Sequence, residues 1–443
     1  MGSDGETTIR APAVQAESLP QLLSIRLLFE PENDRARPAV PLGRVPFTIG
    51  RSIGERGILL KDPRASRIHA TLHPRGEAAV RIVDSSSNGT YVNGERIDEP
   101  RDLSDGDIIR VGDSILLVRV GSAVPARDAD IPELEGRHVS MRQLRHTISS
   151  VAPTDAKVLI IGESGTGKEL VARAIHERSG REGRFVAVNC GAIPEALAES
   201  QLFGHVQGAF TGANKAHDGF MRAAMGGTLF LDEIGELSPV LQPKLLRALA
   251  EQKVIPVGAT EPLRIDVRLI AATHRDLLHE VDEGSFRGDL YARIAGYLVH
   301  TLPLRDRTED ILPLLRTFLG SDVAPVEADL AEALLLHPFR FNVRELKEIA
   351  TQLRIDGAGL DRLPLSLVSH RLTRRAASTI PPPITTTEPR RPLAPPRPPP
   401  PEKEELMRLM EEHAGNVSRV ANALGRSRRQ IYRYLERYGL VEE

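Results

Sequence analysis

A glycine-rich loop narrows the folds open to this 443-residue chain more than any other segment does. It follows the apolar run at residues 157–161 and precedes residues 169–175, where apolar side chains recur at helical spacing. The loop itself reads Gly162, Glu163, Ser164, Gly165, Thr166, Gly167 and Lys168. When a strand, a glycine loop and a helix follow one another in this way, backbone amides and the helix N-terminus surround phosphate groups, and the lysine reaches the outer phosphates. The segment predicts a nucleotide-binding α/β domain with a parallel sheet.

A second apolar run supports this prediction because it ends in two acidic residues. Residues 228–231 have the pattern of a buried strand, and Asp232 and Glu233 follow them. In a site that hydrolyses a nucleotide, an acid in this place holds Mg²⁺, and the neighbouring acid polarises the water that attacks the phosphate. Glu169 stands where the general pattern has Ser or Thr, whose hydroxyl binds Mg²⁺. Each motif alone is also compatible with a glycine turn or a solvated acid pair, but their order favours ATP and Mg²⁺ as cofactors, with Asp232 as the metal ligand.

Two further apolar runs end in polar side chains. Asn189 follows residues 185–188, and Thr273 and His274 follow residues 267–272. Ligands in open α/β sheets bind beyond the carboxyl ends of the strands, so we expect these side chains to converge near the γ-phosphate. Taken alone, His274 would be interpreted as a structural histidine with satisfied hydrogen bonds.

The apolar pattern changes along the chain and indicates a multidomain protein. Short runs between turn residues predict an all-β sandwich before the α/β domain, and an all-α domain is predicted after it. In residues 378–401, 11 of 24 positions are proline, which favours a semi-rigid polyproline II spacer over an SH3-like ligand. The predicted order is a disordered lead at 1–21, the sandwich at 22–121, a linker at 122–136, an α/β subdomain at 137–304, its helical lid at 305–372, a Pro-rich linker at 373–401 and a helical domain at 402–443.

Composition limits the class of protein. Hydrophobic residues make up 41% and charged residues 27%, which suits globular domains. The formal charge of −2, taken over the whole chain, indicates neither a nucleic-acid partner nor binding to a membrane surface. No run approaches the roughly 20 apolar residues of a membrane span, and residues 1–10 lack the apolar core of a signal peptide. Cys190 is the one cysteine, which excludes an intramolecular disulfide and suits a reducing compartment. Together with the missing apolar span and signal peptide, this predicts a cytoplasmic protein without a membrane partner.

One segment without core periodicity carries a more specific signal. It reads Gly208, Ala209, Phe210, Thr211, Gly212 and Ala213. The glycines suit a flexible loop that presents Phe210 and Thr211 to solvent, and a turn with a buried Phe fits equally well. This segment resembles the signature of sigma-54-dependent transcriptional activators, the bacterial enhancer-binding proteins of the AAA+ ATPase superfamily. The glycine loop, Asn189 and the runs at 202–205 and 226–228 fall in the family's order.

The resemblance covers about residues 137–370 and implies an α/β AAA+ P-loop ATPase with a helical lid. It implies that Lys168 is the Walker A lysine and that Asp232 and Glu233 are the Walker B pair. It also implies that Asn189 switches Glu233 with the nucleotide state. Thr273 and His274 match the sensor I position, where the family usually has Asn in place of His.

Further matches imply an assembly. The segment with Arg287 and Arg293 resembles the one that supplies arginine fingers to a neighbouring subunit's ATP, although a surface ion pair is an equal alternative for Arg287 alone. Arg344 resembles the sensor II arginine of the lid, and residues 339–341 read Phe-Arg-Phe where the family normally has Trp-Pro-Gly. The implied homo-oligomer ranges from a dimer to a hexamer ring. The implied partner is sigma-54 RNA polymerase, contacted by residues 208–213.

Short motifs separate the apolar runs of the β region, at residues 49–51, 66–69, 87–94 and 106–107. Over about residues 24–120 these motifs resemble the forkhead-associated (FHA) domain, a β-sandwich that binds phosphothreonine. Asn93 and Gly94 predict a tight hairpin turn within it. The predicted phosphopeptide-binding side chains are Arg51, Ser66, Arg67, Ser87 and Asn88. Arginines donate charge-assisted hydrogen bonds to a dianionic phosphate, and ordinary surface charge is the alternative interpretation. His69 is interpreted as bracing a loop. The implied partner is a phosphothreonine-containing protein.

In the C-terminal region, apolar side chains recur at helical spacing within residues 406–410, 417–424 and 431–435. This region resembles the Fis-type domain of the same activators. Asn416 is predicted to cap one helix and Ser427 a second, as in a helix-turn-helix whose second helix enters the major groove of enhancer DNA. Residues 426–437 hold five arginines and one acid. The predicted DNA contacts are Ser427, Arg428, Arg429 and Arg433, and a solvated basic face is the alternative.

These features predict a phosphothreonine-regulated transcriptional activator. It would bind enhancer DNA and use ATP hydrolysis in an oligomeric ring to remodel the closed complex of sigma-54 RNA polymerase. The alternative is a DNA-bound phosphothreonine-binding scaffold or repressor with a degenerate ATPase, which His274 and Phe341 motivate because they depart from the family's pattern.

Overall fold

The computed structural model describes residues 21–31, 37–53, 56–75, 79–122, 128–211, 213–372, 403–413 and 417–424, with single positions between 431 and 438. Residues 1–377 form one compact unit and residues 378–443 form a second. Most of the predicted lead and all of the Pro-rich linker lie outside the described residues. No helix in the described ranges is both long enough and apolar enough to cross a membrane.

The first part of the chain is a β-sandwich, as predicted. One sheet has the order β2-β1-β11-β10-β7-β8 and the other the order β4-β3-β5-β6-β9. Asn93 and Gly94 have φ of 54° and 79°, the conformation that the predicted hairpin turn between β7 and β8 requires. The strands are β1 Gln21–Phe29, β2 Val40–Pro41, β3 Phe47–Gly50, β4 Gly57–Leu59, β5 Ala70–Pro74, β6 Val80–Asp84, β7 Thr90–Val92, β8 Glu95–Arg96, β9 Arg101–Leu103, β10 Ile108–Val111 and β11 Ser114–Ser122.

The second part is the predicted α/β subdomain. Its five strands are parallel in the order β13-β14-β17-β12-β18, and a short hairpin, β15-β16, lies beside them. The strands are β12 Val158–Ile161, β13 Phe185–Asn189, β14 Thr228–Asp232, β15 Lys253–Val254, β16 Leu263–Arg264, β17 Arg268–Thr273 and β18 Tyr297–His300. The helices are α1 Val139–Val151, α2 Lys168–Glu177, α3 Glu195–Phe203, α4 Gly219–Ala223, α5 Leu241–Glu251, α6 Leu277–Glu283 and α7 Gly288–Ile294.

A helical lid follows the last parallel strand. It contains α8 Ile311–Leu319, α9 Ala328–Leu335 and α10 Asn342–Asp356. Its apolar core continues into the sandwich, where Phe29, Ile115 and Leu117 are buried in the same cluster. The sandwich therefore packs against the lid, a contact that the sequence patterns did not predict.

The second unit contains two described helices, α11 Lys403–Glu412 and α12 Val417–Ala423. Among the residues described in this unit, the buried core contains Leu406, Val420, Ile431 and Leu435. The predicted caps Asn416 and Ser427 and the predicted DNA contacts Arg428, Arg429 and Arg433 lie outside the described residues.

Candidate functional site

The carboxyl ends of neighbouring parallel strands bring the predicted nucleotide residues to one edge of the sheet. Asn189 pairs in register with Asp232 on adjacent strands, and Ile161 pairs with Thr273. The glycine loop starts directly after Ile161. The expected convergence at this edge therefore follows from strand order and register.

The glycine loop wraps around the amino group of Lys168. Gly165 and Gly167 have φ of 78° and 99°, which L side chains rarely adopt. The buried Lys168 Nζ donates to the carbonyl oxygens of Gly162 (2.9 Å) and Glu163 (3.3 Å) and lies 3.5 Å from Glu233 Oε1. The ammonium group thus lies between the loop and an acid, where phosphate oxygens could replace the carbonyl acceptors.

The acid pair carries two carboxylates with opposite pKa shifts. Burial raises the pKa of Asp232, and the nearby Glu233 charge raises it further. Burial also acts to raise the pKa of Glu233, but the hydrogen bond from His274 and the charge of Lys168 outweigh it and hold that pKa below its usual range. Glu233 has φ of 52°, a strained conformation for a residue other than glycine. A divalent cation would relieve the repulsion at Asp232, so the carboxylate fits Mg²⁺.

His274 holds Glu233 from the neighbouring strand. Its Nδ1–H donates to Glu233 Oε2 over 2.6 Å, and its backbone N–H lies 3.4 Å from the same oxygen. The Oδ1 of Asn189 instead accepts the N–H groups of Gly191 and Ala192 at 3.0 and 3.1 Å. In this structure Glu233 is therefore held by His274 and Lys168, whereas the resemblance implied Asn189 as its partner.

The lid reaches the glycine loop through the start of α10. Arg344, the predicted sensor II arginine, donates from Nη1 to Ser164 Oγ over 3.3 Å. Asn342 is buried and donates from Nδ2 to the carbonyl of Ser164 (2.9 Å) and to Glu163 Oε2 (3.2 Å). Arg305 binds both oxygens of the Glu163 carboxylate at 2.8 and 2.5 Å. Arg305 and Asn342 were missed as site residues, although an acid inside a phosphate-binding loop is a signal that a cation is needed nearby.

Thr166 of the glycine loop and Glu169 at the start of α2 bond to partners other than the acid pair. The Thr166 hydroxyl donates to the carbonyl of Glu163 (2.8 Å) and contacts the hydroxyl of Thr301 at 2.8 Å. Glu169 pairs with Arg173 on the exposed surface of α2 at 3.1 Å. Position 169 thus offers no hydroxyl for Mg²⁺, and its carboxylate is paired with Arg173.

The two predicted arginine fingers lie at α7. Arg287 forms a bidentate, exposed ion pair with Asp289 at 3.0 and 2.8 Å. Arg293 Nη2 donates to the carbonyl of Leu249 over 3.1 Å. Among the described residues neither arginine bonds to the glycine loop of its own chain, and for Arg287 the ion-pair alternative describes what is observed.

The segment around Phe210 is an exposed loop. Phe210 is 40% exposed and Thr211 is exposed, so the outward alternative is the one observed. The Phe210 ring packs 5.0 Å from the ring of His205, and Gly208 N–H donates to the carbonyl of Ala213 over 2.9 Å. Ala209 is half-buried within this loop, whereas Gly212 lies outside the described residues.

Loops at one end of the sandwich bring the predicted phosphopeptide residues together. Arg51 Nε donates to the carbonyl of Ala65 (2.7 Å), which fixes its guanidinium beside the Ser66 loop. The backbone N–H of Ser87 lies 3.3 Å from the Ser66 hydroxyl oxygen, and Arg67 is exposed on the same loop. Asn88 bonds this loop as well, through the carbonyl of Arg64 at 2.8 Å.

His69 braces these loops, as predicted. Its Nδ1 accepts the Ser66 N–H over 3.0 Å, and its Nε2 lies 3.2 Å from the carbonyl of Gly89, so Nε2 carries the proton. Burial lowers the pKa of His69, which keeps the ring neutral in this role. A Cβ added at Gly50 would lie 2.2 Å from the carbonyl oxygen of Arg67, so only glycine allows the strand and loop to approach so closely.

Comparison with known proteins matches three families along the chain. The Sigma-54 interaction domain matches residues 134–300, the FHA domain residues 47–112, and the bacterial regulatory protein Fis family residues 399–438. One curated relative is the transcriptional regulatory protein ZraR of Klebsiella oxytoca, which is 57% identical over 42% of this chain and 42% of its own length. Another is the putative uric acid sigma-54-dependent transcriptional regulator UacR of Escherichia coli, which is 46% identical over 49% of this chain and 38% of its own length. The chain thus spans less than half the length of these two relatives.

A solved structure covers more of the chain. NtrX from Brucella abortus in complex with ADP is 33% identical, covers 69% of this chain and 70% of its own, and superposes with a TM-score of 0.51. From this coverage and the three matched domains, the chain belongs to the sigma-54-dependent transcriptional regulators, with an FHA domain before the Sigma-54 interaction domain and a Fis-family domain after it.

Proposed function

We propose that this protein is an ATP-hydrolysing activator that remodels the closed complex of sigma-54 RNA polymerase. The observation that carries the proposal is the convergence of Lys168, Asp232, Glu233 and His274 at one sheet edge, with Arg344 of the lid over the same loop. The ADP complex of the related NtrX supports a nucleotide at this site.

Each residue would have a separate task in hydrolysis. Lys168 would exchange its carbonyl acceptors for the outer phosphates, and the loop amides would bind the remaining phosphate oxygens. Glu233, kept ionised by its neighbours, would orient and polarise the attacking water. Asp232 would hold Mg²⁺, which supplies positive charge to the phosphate oxygens. Thr273 lies buried beneath this edge and supports the His274 turn.

The arginines of α7 would act on a neighbouring protomer. An arginine supplied in trans stabilises charge on the transferring phosphoryl group and makes hydrolysis depend on assembly. Arg287 would leave its exposed pair with Asp289 for the neighbour's phosphate at little cost, because solvent screens the attraction in an exposed ion pair. Arg293 would act beside it. The protein would then work as a homo-oligomer, up to a hexamer ring.

Three surfaces would connect the ATPase to its partners. The exposed Phe210–Thr211 loop would contact sigma-54, and its packing on His205 would transmit movement from the α/β subdomain. The sandwich loop with Arg51 and Arg67 would bind a phosphothreonine-containing protein. The Fis-family region would bind enhancer DNA through its arginines.

ATP turnover measured against protein concentration tests the proposal. We expect turnover per chain to rise with concentration as protomers assemble, and Lys168→Ala to abolish ATP binding and turnover. Lys244→Ala, which removes an exposed lysine paired with Glu199 in the same domain, is the matched control and should hydrolyse ATP normally. Unchanged turnover in Lys168→Ala would refute the assignment of the site.

One observation favours a second candidate function. The 2.6 Å bond from His274 occupies the carboxylate that would position the water. If that bond persists with ATP bound, the protein is a DNA-bound phosphothreonine-binding scaffold or repressor with a degenerate ATPase. ATP binding without turnover, at every protein concentration and with sigma-54 added, would favour this candidate.

A further inference from the structure

The FHA sandwich and the ATPase lid share one apolar core. Strand β11 has four consecutive apolar residues, and they divide between two cores. Leu116 and Val118 face the interior of the sandwich, whereas Ile115 and Leu117 are fully buried in the cluster that contains the lid helices. Phe29 of β1 lies in the same lid cluster. The contact therefore excludes water over a continuous face, as expected for a specific domain contact.

Ionic contacts beside this face lie on the segment that joins the α/β subdomain to the lid. We call residues 304–310 the hinge segment. Arg26 of the sandwich forms a hydrogen-bonded ion pair with Glu309. Arg119 donates to the carbonyl of Asp306 (3.4 Å), and its Nε lies 3.7 Å from Glu309 Oε1. The Glu309 side chain is 9% exposed, and its two arginine partners belong to the sandwich, while His138 at the start of α1 lies 4.0 Å away. Loss of the sandwich would therefore leave this buried charge without its arginines.

The same hinge segment holds the nucleotide loop from its other side. Arg305 forms the bidentate pair with Glu163, and Arg307 Nη2 lies 3.5 Å from the carbonyl of Thr166. The hinge segment is thus in contact with the glycine loop and with the sandwich at once.

A second set of contacts leads back to the phosphopeptide loops. Arg110 of β10 pairs with Asp329 (2.7 Å) and Glu332 (2.9 Å) on α9 of the lid. Arg110 also lies 3.7 Å from Asp113, which pairs with Arg64 at 3.0 Å. The carbonyl of Arg64 accepts the hydrogen bond from Asn88, one of the predicted phosphopeptide residues.

We propose that the FHA sandwich is a clamp on the hinge segment, so that its docking at Glu309 holds the lid and steadies the glycine loop. Regulation of ATP hydrolysis by this clamp rests on the proposed function, whereas the clamp itself does not. Release of the sandwich would loosen the hinge segment and, through Arg305, the loop that surrounds Lys168. Because the Arg110 contacts continue to Asn88, a phosphothreonine ligand bound there would act on the clamp.

Charge reversal in the full chain tests the clamp without relying on ATP. Backbone hydrogen exchange is measured for α8 and for residues 162–168 in Arg26→Glu, in Glu309→Arg and in the double reversal. Each single reversal leaves a buried charge beside a like charge, so we expect exchange about tenfold faster in both segments. The double reversal restores an opposite pair and should return both segments towards the wild-type rate. The matched control is Arg81→Glu, which breaks an exposed pair with Asp102 on the sandwich away from the lid.

Every outcome decides one part of the proposal. Faster exchange in α8 alone would overturn the coupling to the glycine loop, and unchanged exchange in both segments would overturn the clamp. An equal effect of Arg81→Glu would also overturn it, because the cause would then be general destabilisation of the sandwich. If Glu309→Arg fails to fold, Arg26→Gln and Arg119→Gln carry the test from the sandwich side. Failure of the proposed function appears separately, as absence of ATP turnover in the wild-type chain.

Discussion

Asn342 should be among the most sensitive positions for the stability of the lid. It is fully buried with φ of 53°, and its side chain makes three hydrogen bonds. Its Oδ1 accepts the buried N–H of Leu304 (2.7 Å), and its Nδ2 donates to Ser164 and Glu163. These bonds join the hinge segment, the glycine loop and α10 at one side chain.

The cost of Asn342→Ala can be estimated group by group. The Leu304 N–H would lose its partner in a buried place, at about 2 kcal/mol, and the partly buried Ser164 carbonyl would cost about 1 kcal/mol. Ala tolerates the left-handed backbone less well than Asn, which adds about 1 kcal/mol. We therefore expect the free energy of unfolding to fall by about 4 kcal/mol. Asn342→Gly should lose about 1 kcal/mol less, because glycine adopts this backbone without strain.

Urea unfolding followed by far-ultraviolet circular dichroism measures these differences. Hydrogen exchange of α10 provides a second measurement, because a multidomain chain can unfold in stages. Thr351→Ala is the control on the same helix, since its hydroxyl bonds only within the helix, to the carbonyl of Lys347, and it should change stability by less than about 0.5 kcal/mol. A loss below about 1 kcal/mol for Asn342→Ala, or a glycine variant less stable than the alanine variant, would refute the reasoning.

The remaining predictions concern three other sites. Thr211→Ala should leave ATP turnover unchanged but prevent open-complex formation with sigma-54 RNA polymerase. The control Gln207→Ala, in the same exposed stretch, should leave both activities unchanged. Open complexes formed by Thr211→Ala would contradict the role of the loop. Arg51→Ala should weaken binding of a phosphothreonine peptide at least about tenfold with no effect on the unphosphorylated peptide, measured by titration calorimetry, whereas Arg81→Ala should bind normally. Burial and neighbouring arginines lower the pKa of His138 to about 4, so the folded chain resists a proton that the unfolded chain takes up near pH 6.5. Stability from this group is complete above about pH 6.5 and falls by up to about 3 kcal/mol towards pH 4. His138→Gln should make the unfolding midpoint depend less on pH over this range. An unchanged dependence on pH would exclude His138 as its cause.

The sequence was informative about the nucleotide site because the carboxyl ends of parallel strands all lie at one edge of a sheet. Apolar runs ending in Asn189, Asp232 and Thr273 had to end at the same edge once the sheet was parallel, and the structure shows that their strands are also neighbours. The side-chain pairing there was not predictable. Whether His274 or Asn189 bonds to Glu233 depends on the conformation of the turns after the strands, where Asn189 accepts the N–H groups of its own turn and leaves Glu233 to His274.

The contact between the sandwich and the lid left a signal in the sequence that was not used. An antiparallel strand with one face in solvent alternates apolar and polar residues, yet residues 115–118 read Ile-Leu-Leu-Val. Four consecutive apolar residues in β11 predict that both of its faces are buried. The pattern could not identify the second partner, because it gives no direction beyond the sandwich. The lid residues that meet this face lie about 200 residues later in the chain.

The apolar and ionic parts of this contact should have different roles. Burial of Phe29, Ile115 and Leu117 supplies favourable free energy without fixing direction. The pair of Arg26 with Glu309 contributes little net stability, since desolvation of both charges offsets their attraction, but separating one partner leaves a buried charge unpaired. The ionic contact therefore selects one docked position among those that the apolar face would allow. In that docked position the hinge segment also holds Glu163 of the glycine loop. The coupling between the sandwich and the nucleotide site therefore depends on which position is selected, and less on how strongly the sandwich docks.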